Sequence, residues 1–193
     1  MSEISNIRII TVSGRIGAGS TTLAKGIAHH LGWKHIEGGE VFWEAVRKKM
    51  GLSVKDTNLR PDNEDELFDA HLKSLLESEK DLVLETKLAG FIAAGIEGVF
   101  KIGVVCEDRD GNDQTQVRID RLVNREDISV DLAKTEVLER EQNDLSKWRK
   151  LYANNDPTWT YFDKKYYDTV INTFMVNKEE AYQTALSAIE KSK

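Results

Sequence analysis

Apolar residues recur along this chain with two alternating periods. Residues 7–12, Ile-Arg-Ile-Ile-Thr-Val, form a near-continuous β-branched run, the pattern of a strand covered on both faces. A glycine-rich turn follows. Over about 20–31, Leu23, Ile27 and Leu31 then return every four residues with Ala24 and Ala28 beside them. That is one apolar face of a helix, stopped by Gly32. Trp33-Lys-His-Ile36 reads as a short strand, and Gly38-Gly39 turns into a helix over about 40–50 with Val41, Phe42, Ala45 and Val46 inward. A polar stretch, 53–60, leads to Pro61-Asp62, a helix start. Leu67, Phe68, His71, Leu72 and Leu75 mark a helix over about 62–79.

The second half continues the alternation. Residues 81–85 and 99–105 are short apolar runs that read as buried strands. Residues 113–125 have a helical period, with Val117, Ile119 and Leu122 among three arginines. Ser129 is placed to cap a long polar helix over about 130–153 with Asp131 in its first turn, and Asn154-Asn155-Asp156-Pro157 breaks it. Residues 169–173 are a last strand. Asn177, with Glu180 three residues on, opens a last helix ending near Lys191 in the manner of a capping box. Strands alternating with helices predict an α/β fold, a three-layer α/β/α sandwich with a parallel sheet. Ligands in such folds sit at the C-terminal ends of the strands, so 14–21, 85–87 and the turn after Val105 are expected to face one crevice.

Bulk properties narrow the function classes. The 193 residues suit one domain, and 40% hydrophobic residues can fill its core. A formal charge of −6 and a pI near 5.3 argue against general nucleic-acid binding, which relies on Lys and Arg neutralising phosphates. One cysteine, Cys106, gives no internal disulfide framework and suits a reducing cytoplasm. No stretch approaches the roughly 20 apolar residues of a membrane span, and Met-Ser-Glu-Ile-Ser-Asn has no basic-then-apolar leader. Cytoplasmic localisation and a monomer or weak homodimer are expected. His29, His30, His35 and His71 lack the spacing of a zinc site and read as structural.

The turn itself carries the chemistry. Gly14-Arg15-Ile16-Gly17-Ala18-Gly19-Ser20-Thr21-Thr22 follows a strand and opens a helix. The spacing Gly14-x-x-x-x-Gly19-x-Thr21 is that of a phosphate-binding P-loop, with Ser20 where the lysine belongs. Glycines let the backbone aim N–H groups inward, and the helix start adds its positive dipole end. The segment 14–22 is therefore expected to bind the phosphates of ATP, with Thr21 as the Mg²⁺ ligand. Arg15, inside the loop, is the nearest substitute for the missing cation; Lys25 lies a full turn into the helix. Arg118, Arg121 and Arg125 share one helical face, and Arg140, Asp144 and Lys147 repeat that geometry. Such cations can neutralise transition-state charge, although the interleaved acids also suit a solvated surface. Arg15, Arg118, Arg121 and Arg140 are the candidate catalytic residues. Trp43, Arg60, Glu85 and Lys87 are the candidate substrate-binding residues, with Glu85 also able to reach a metal through water. Trp33, Trp148 and Trp159 read as packing residues and Cys106 as a buried inert thiol.

Taken together, several segments resemble the short archaeal cytidylate kinases, a branch of the P-loop nucleoside monophosphate kinases. They are 9–22, His35-Ile-Glu-Gly-Gly39-Glu40-Val-Phe42, Leu84-Glu85 with Leu88-Ala-Gly90, Val117-Arg118-Ile-Asp-Arg121, Arg125-Glu-Asp-Ile-Ser129, Glu139-Arg140-Glu141 and Tyr167-Asp168-Thr-Val-Ile171-Asn172-Thr173. The resemblance implies ATP-dependent phosphorylation of CMP or dCMP with Mg²⁺, and small-molecule nucleotides as the only partners. It also implies a monophosphate-binding subdomain over about 38–79 and a closing lid over about 113–153. The family commonly has an arginine after Gly-Glu-x-Phe, where Trp43 stands here, and Glu-Gly-Arg where this chain reads Glu85-Thr86-Lys87. Three readings stay open at this level: a cytidylate kinase, a kinase with another small acceptor, and a nucleotide-binding regulatory module without phosphotransfer.

Overall fold

The computed structural model describes residues 6–39, 48 and 62–192. Five strands form one all-parallel sheet: β1 (Ile9–Gly14), β2 (Lys34–Glu37), β3 (Leu82–Glu85), β4 (Val99–Val105) and β5 (Thr169–Asn172). Their order across the sheet is β2-β3-β1-β4-β5. The helices described in full are α1 (Ser20–Leu31), α2 (Asp62–Ser78), the short α3 (Ala89–Ile92), α4 (Thr115–Glu126), α5 (Val130–Lys134), α6 (Glu141–Tyr152) and α7 (Lys178–Lys191). Among the described residues, no helix is long and apolar enough to cross a membrane.

Successive strand residues point to opposite faces, and the core divides accordingly. Ile10, Val12, Val83, Phe100, Ile102 and Val104 pack on one face against α1 and α7. Ile9, Leu82, Leu84 and Val99 pack on the other against Leu72 and Leu76 of α2 and Ala89 of α3. Two sided strands explain why the apolar runs are nearly continuous, and the three-layer expectation holds. The expected capping box of the last helix is also present: Asn177 Oδ1 accepts from Glu180 N at 3.0 Å and Glu180 Oε2 from Asn177 N at 2.9 Å. The C-cap of α1 is Gly32, in the left-handed region at φ 67°.

Three features differ from the sequence reading. The helix α3 was not expected; four residues are too few to show a period. The long helix expected over 130–153 is one continuous helical run capped by Ser129, but its middle, Thr135–Arg140, is a π-helical turn between α5 and α6. The π turn lies between two separate cores. Ala133 and Val137 pack on Ile119 and Leu122 of α4, whereas Leu145 and Trp148 pack on Trp159 and Tyr161. His35, for which the sequence shows no partner, has its Nε2 3.9 Å from Glu85 Oε2. The helix expected over 40–50 lies outside the described residues.

Close packing at the sheet edge gives one stability prediction. The Tyr167 ring lies against Gly103, where an added Cβ would be 2.8 Å away, and even nearer Gly90. Its hydroxyl donates to the Tyr161 carbonyl at 2.7 Å. Gly90→Ala is therefore expected to lower stability by about 1–3 kcal/mol, the usual range for overpacking. Urea unfolding measures this, and an unchanged midpoint would contradict the fit.

Candidate active site

Parallel pairing brings the functional segments to one edge. Val12 of β1 lies opposite Glu85 of β3, and Gly14 opposite Val104 of β4. The loop 14–20 therefore emerges between the ends of β3 and β4. Two glycines shape it. Gly17 has φ 76°, and a side chain there would strike the Arg118 carbonyl; Gly19 has φ 103° and forms the N-cap of α1. A glycine cap offers no side chain to the free N–H groups of the first turn, and no acidic residue lies in that turn. Those donors and the helix dipole remain available to an anion.

Glu85 completes the loop from the neighbouring strand. Its Oε1 accepts from the hydroxyls of both Ser20 and Thr21, each at 2.9 Å. The residue is buried, and its other oxygen, Oε2, has no hydrogen-bond partner among the described residues. Burial pushes the carboxyl above the ordinary carboxylate range, and the nearby charge of Glu37 adds to this; the bonds from Ser20 and Thr21 oppose it. Ser13 ties down the turn after β3, donating to Thr86 O at 2.9 Å and accepting from Gly90 N at 3.0 Å.

The arginines meet the loop in ways that the sequence did not indicate. Arg118 is fully buried. Its Nη1 donates to the Ile16 carbonyl at 2.7 Å and to Glu141 Oε2 at 3.1 Å, and its Nη2 donates to Asp113 Oδ2 at 2.9 Å. An arginine expected to close over phosphate is thus committed to holding the loop, because burial demands that its donors be paired. Arg15, the expected lysine substitute, is held by the same two carboxylates: Nε to Glu141 Oε1 at 2.7 Å and Nη1 to Asp113 Oδ1 at 3.1 Å. Its guanidinium lies 4.8 Å from the centre of the Phe162 ring.

Arg121 donates to Thr173 Oγ1 and Thr173 O, both at 2.9 Å, and Thr173 Oγ1 donates on to Ala18 O at 2.6 Å. Arg140 pairs with Glu136, one turn back on its own helical run. The exposed Arg125 pairs with its neighbour Glu126. Lys87, expected to face a substrate phosphate, is largely covered, and Asp144 of α6, itself buried, accepts from its Nζ at 2.8 Å. Lys147 stands 3.7 Å from Asp65 of α2. Trp148 and Trp159 are buried packing residues, and burial raises the pKa of the Cys106 thiol. Trp43 and Arg60 lie outside the described residues.

Asp113, Glu141, Thr173 and Tyr161 are the site residues that sequence reasoning missed. Glu141 and Thr173 sit inside quoted motifs, yet a carboxylate or hydroxyl does not announce a partner some 100 residues away. A divalent cation fits the loop edge. Thr21 Oγ1 and the unsatisfied Glu85 Oε2 are hard oxygen donors of the kind that Mg²⁺ takes in small number alongside phosphate oxygens.

No protein-family model matches the chain. A cytidylate kinase of Natronomonas pharaonis is 32% identical over 184 residues, covering 94% of this chain and 88% of that protein. The cytidylate kinase of Methanopyrus kandleri is 30% identical over 192 residues, 94% of this chain and 93% of its own. Among solved structures, the shikimate kinase of Bacteroides thetaiotaomicron superposes with a TM-score of 0.59 at 17% identity, covering 96% of this chain and 99% of that one. That likeness bears on the fold alone.

Proposed function

The chain belongs to the cytidylate kinase family, and from that premise we propose that it transfers the terminal phosphoryl group of ATP to CMP or dCMP with Mg²⁺. The observation that carries this reading is the phosphate cradle: an uncapped helix start at Gly19 with the Ser20 and Thr21 hydroxyls gathered on Glu85. The first N–H groups of α1 bind the β- and γ-phosphates. Thr21 and Glu85 would hold the metal ion, which when bound neutralises charge between those phosphates. An acceptor phosphate oxygen forms the new P–O bond as the bridge to ADP breaks, so the protein's task is positioning. Residues 38–79 serve as the monophosphate-binding subdomain and 113–153 as the lid. Arg121, at the lid's base, supports the loop through Thr173, and Arg140 is the lid cation nearest to Glu141 in the chain.

A second reading keeps the reaction and changes the acceptor. It is favoured by Lys87, whose charge is already matched by buried Asp144; a lysine also lacks the two-pronged grip of arginine on phosphate. A coupled assay over nucleoside monophosphates and small hydroxylated metabolites separates the two. Turnover strongest with CMP or dCMP is expected. A higher kcat/KM with any other acceptor would replace the first reading with the second.

A further inference from the structure

Four charges form a closed ring between the loop and the helices that follow β4. Glu141 and Asp113 each use one oxygen for Arg15 and the other for Arg118. The two arginines are not equivalent. Arg118 has no exposed surface, whereas the Arg15 side chain keeps 23% of its own. If Arg15 leaves, both carboxylates still have Arg118, so its departure strands no buried charge without a counter-ion. Glu141 Oε1 and Asp113 Oδ1, the two oxygens that face Arg15, are the ones left to be satisfied.

An unused hydroxyl lies close to this ring of charges. Tyr161 is fully buried, and its hydroxyl has no hydrogen-bond partner among the described residues. Its ring packs edge-on against Phe162, the ring on which Arg15 rests, and against Trp148, seven residues after Glu141 on α6. After burial itself, the charges acting on its phenol are those of Glu141, Arg15 and Asp144. A buried hydroxyl with no partner is costly, and natural structures retain few of them.

We infer that Arg15 is a stored phosphate ligand, held by Glu141 and Asp113 until a nucleoside triphosphate takes it, and that the Tyr161 hydroxyl then takes its place on Glu141. Arg15 thus supplies the cation that Ser20 lacks, but only in exchange for a carboxylate. Tyr161 is a positioning residue; it touches no substrate. The inference rests on the proposed use of the loop for ATP, but its test reads nucleotide binding rather than turnover, so failure of the acceptor assignment leaves it decidable.

Calorimetry with a non-hydrolysable ATP analogue and with adenosine, together with thermal unfolding, tests the exchange. Arg15→Gln is expected to weaken the analogue about tenfold or more, the value of a hydrogen bond to a charged group, while adenosine binding is unchanged. Glu141→Gln loosens the store and is expected to tighten analogue binding. Tyr161→Phe keeps or raises the unfolding temperature, since it deletes an unpartnered hydroxyl, yet weakens the analogue about tenfold. Analogue binding unaffected by Arg15→Gln, or weakened by Glu141→Gln, would show that Arg15 is a fixed strut. Should Glu141→Gln fail to fold, Tyr161→Phe decides: wild-type analogue affinity, or a lowered unfolding temperature, overturns the exchange.

Discussion

Arg118→Met is expected to lower the unfolding free energy by about 3–5 kcal/mol, the cost of breaking a buried ion pair from one side. Methionine fills much of the same space, so the loss is electrostatic rather than a cavity. Three acceptors depend on this guanidinium: Asp113 Oδ2, Glu141 Oε2 and the Ile16 carbonyl. The carboxylates would retain only Arg15, and the carbonyl would lose its side-chain donor. With total stabilities of about 5–15 kcal/mol, the variant should sit near the edge of folding. Arg118→Lys should also destabilise, because an ammonium cannot present the planar fork that meets three acceptors. Urea unfolding of both variants measures the loss. A shift below about 1 kcal/mol for methionine would mean that the ring contributes little beyond packing. Because Arg118 holds Ile16 inside the phosphate loop, nucleotide affinity is expected to fall with it.

The part of this molecule that was legible in its sequence is the part written in local period. A near-continuous β-branched run gave β1, a short apolar run gave β4, and four-residue apolar spacing gave α1. Asn177 with Glu180 gave the start of α7. The loop was legible for a related reason: its glycines, Ser20 and Thr21 are neighbours in the chain, so their spacing alone specifies a cradle. What escaped depends on distance along the chain. Arg15 and Glu141 are 126 residues apart, and no pattern within either segment pairs them. Arg118 read as a cation available to phosphate, with a solvated surface as the alternative because Asp120 and Glu126 follow it, whereas the fold buries it. The π turn at Thr135–Arg140 has no signature in the residue pattern either. An i→i+5 turn and an α-turn draw on the same residues, and the two cores on either side decide between them. Trp43, which departs from the family pattern, and Arg60 lie outside the described residues.

Glu85→Gln is expected to separate activity from stability by moving them in opposite directions. Glutamine keeps an oxygen for the Ser20 and Thr21 hydroxyls but removes the charge. Turnover should fall about 10–100-fold, as for other changes at the supporting oxygens of a metal site, and the deficit should be partly recovered at high Mg²⁺. Stability should move the other way. Burial raises the folded-state pKa of the wild-type carboxyl above its unfolded value. A group shifted in that direction contributes fully below the unfolded pKa and loses that contribution as pH rises through the folded pKa. At neutral pH the wild-type chain therefore carries the cost of a buried carboxylate with one oxygen that accepts no hydrogen bond from the described residues, and the glutamine chain does not. Glu85→Gln should unfold at a higher temperature than wild type at pH 7, with the gap closing as pH falls toward the ordinary carboxylate range. Thermal unfolding across pH 4–8, run beside a Mg²⁺ titration of turnover, reads both effects. A variant less stable than wild type at pH 7 would mean that Glu85 is held as a charge for structural reasons. Undiminished turnover would remove it from the metal edge of the loop and leave Thr21 as its protein ligand.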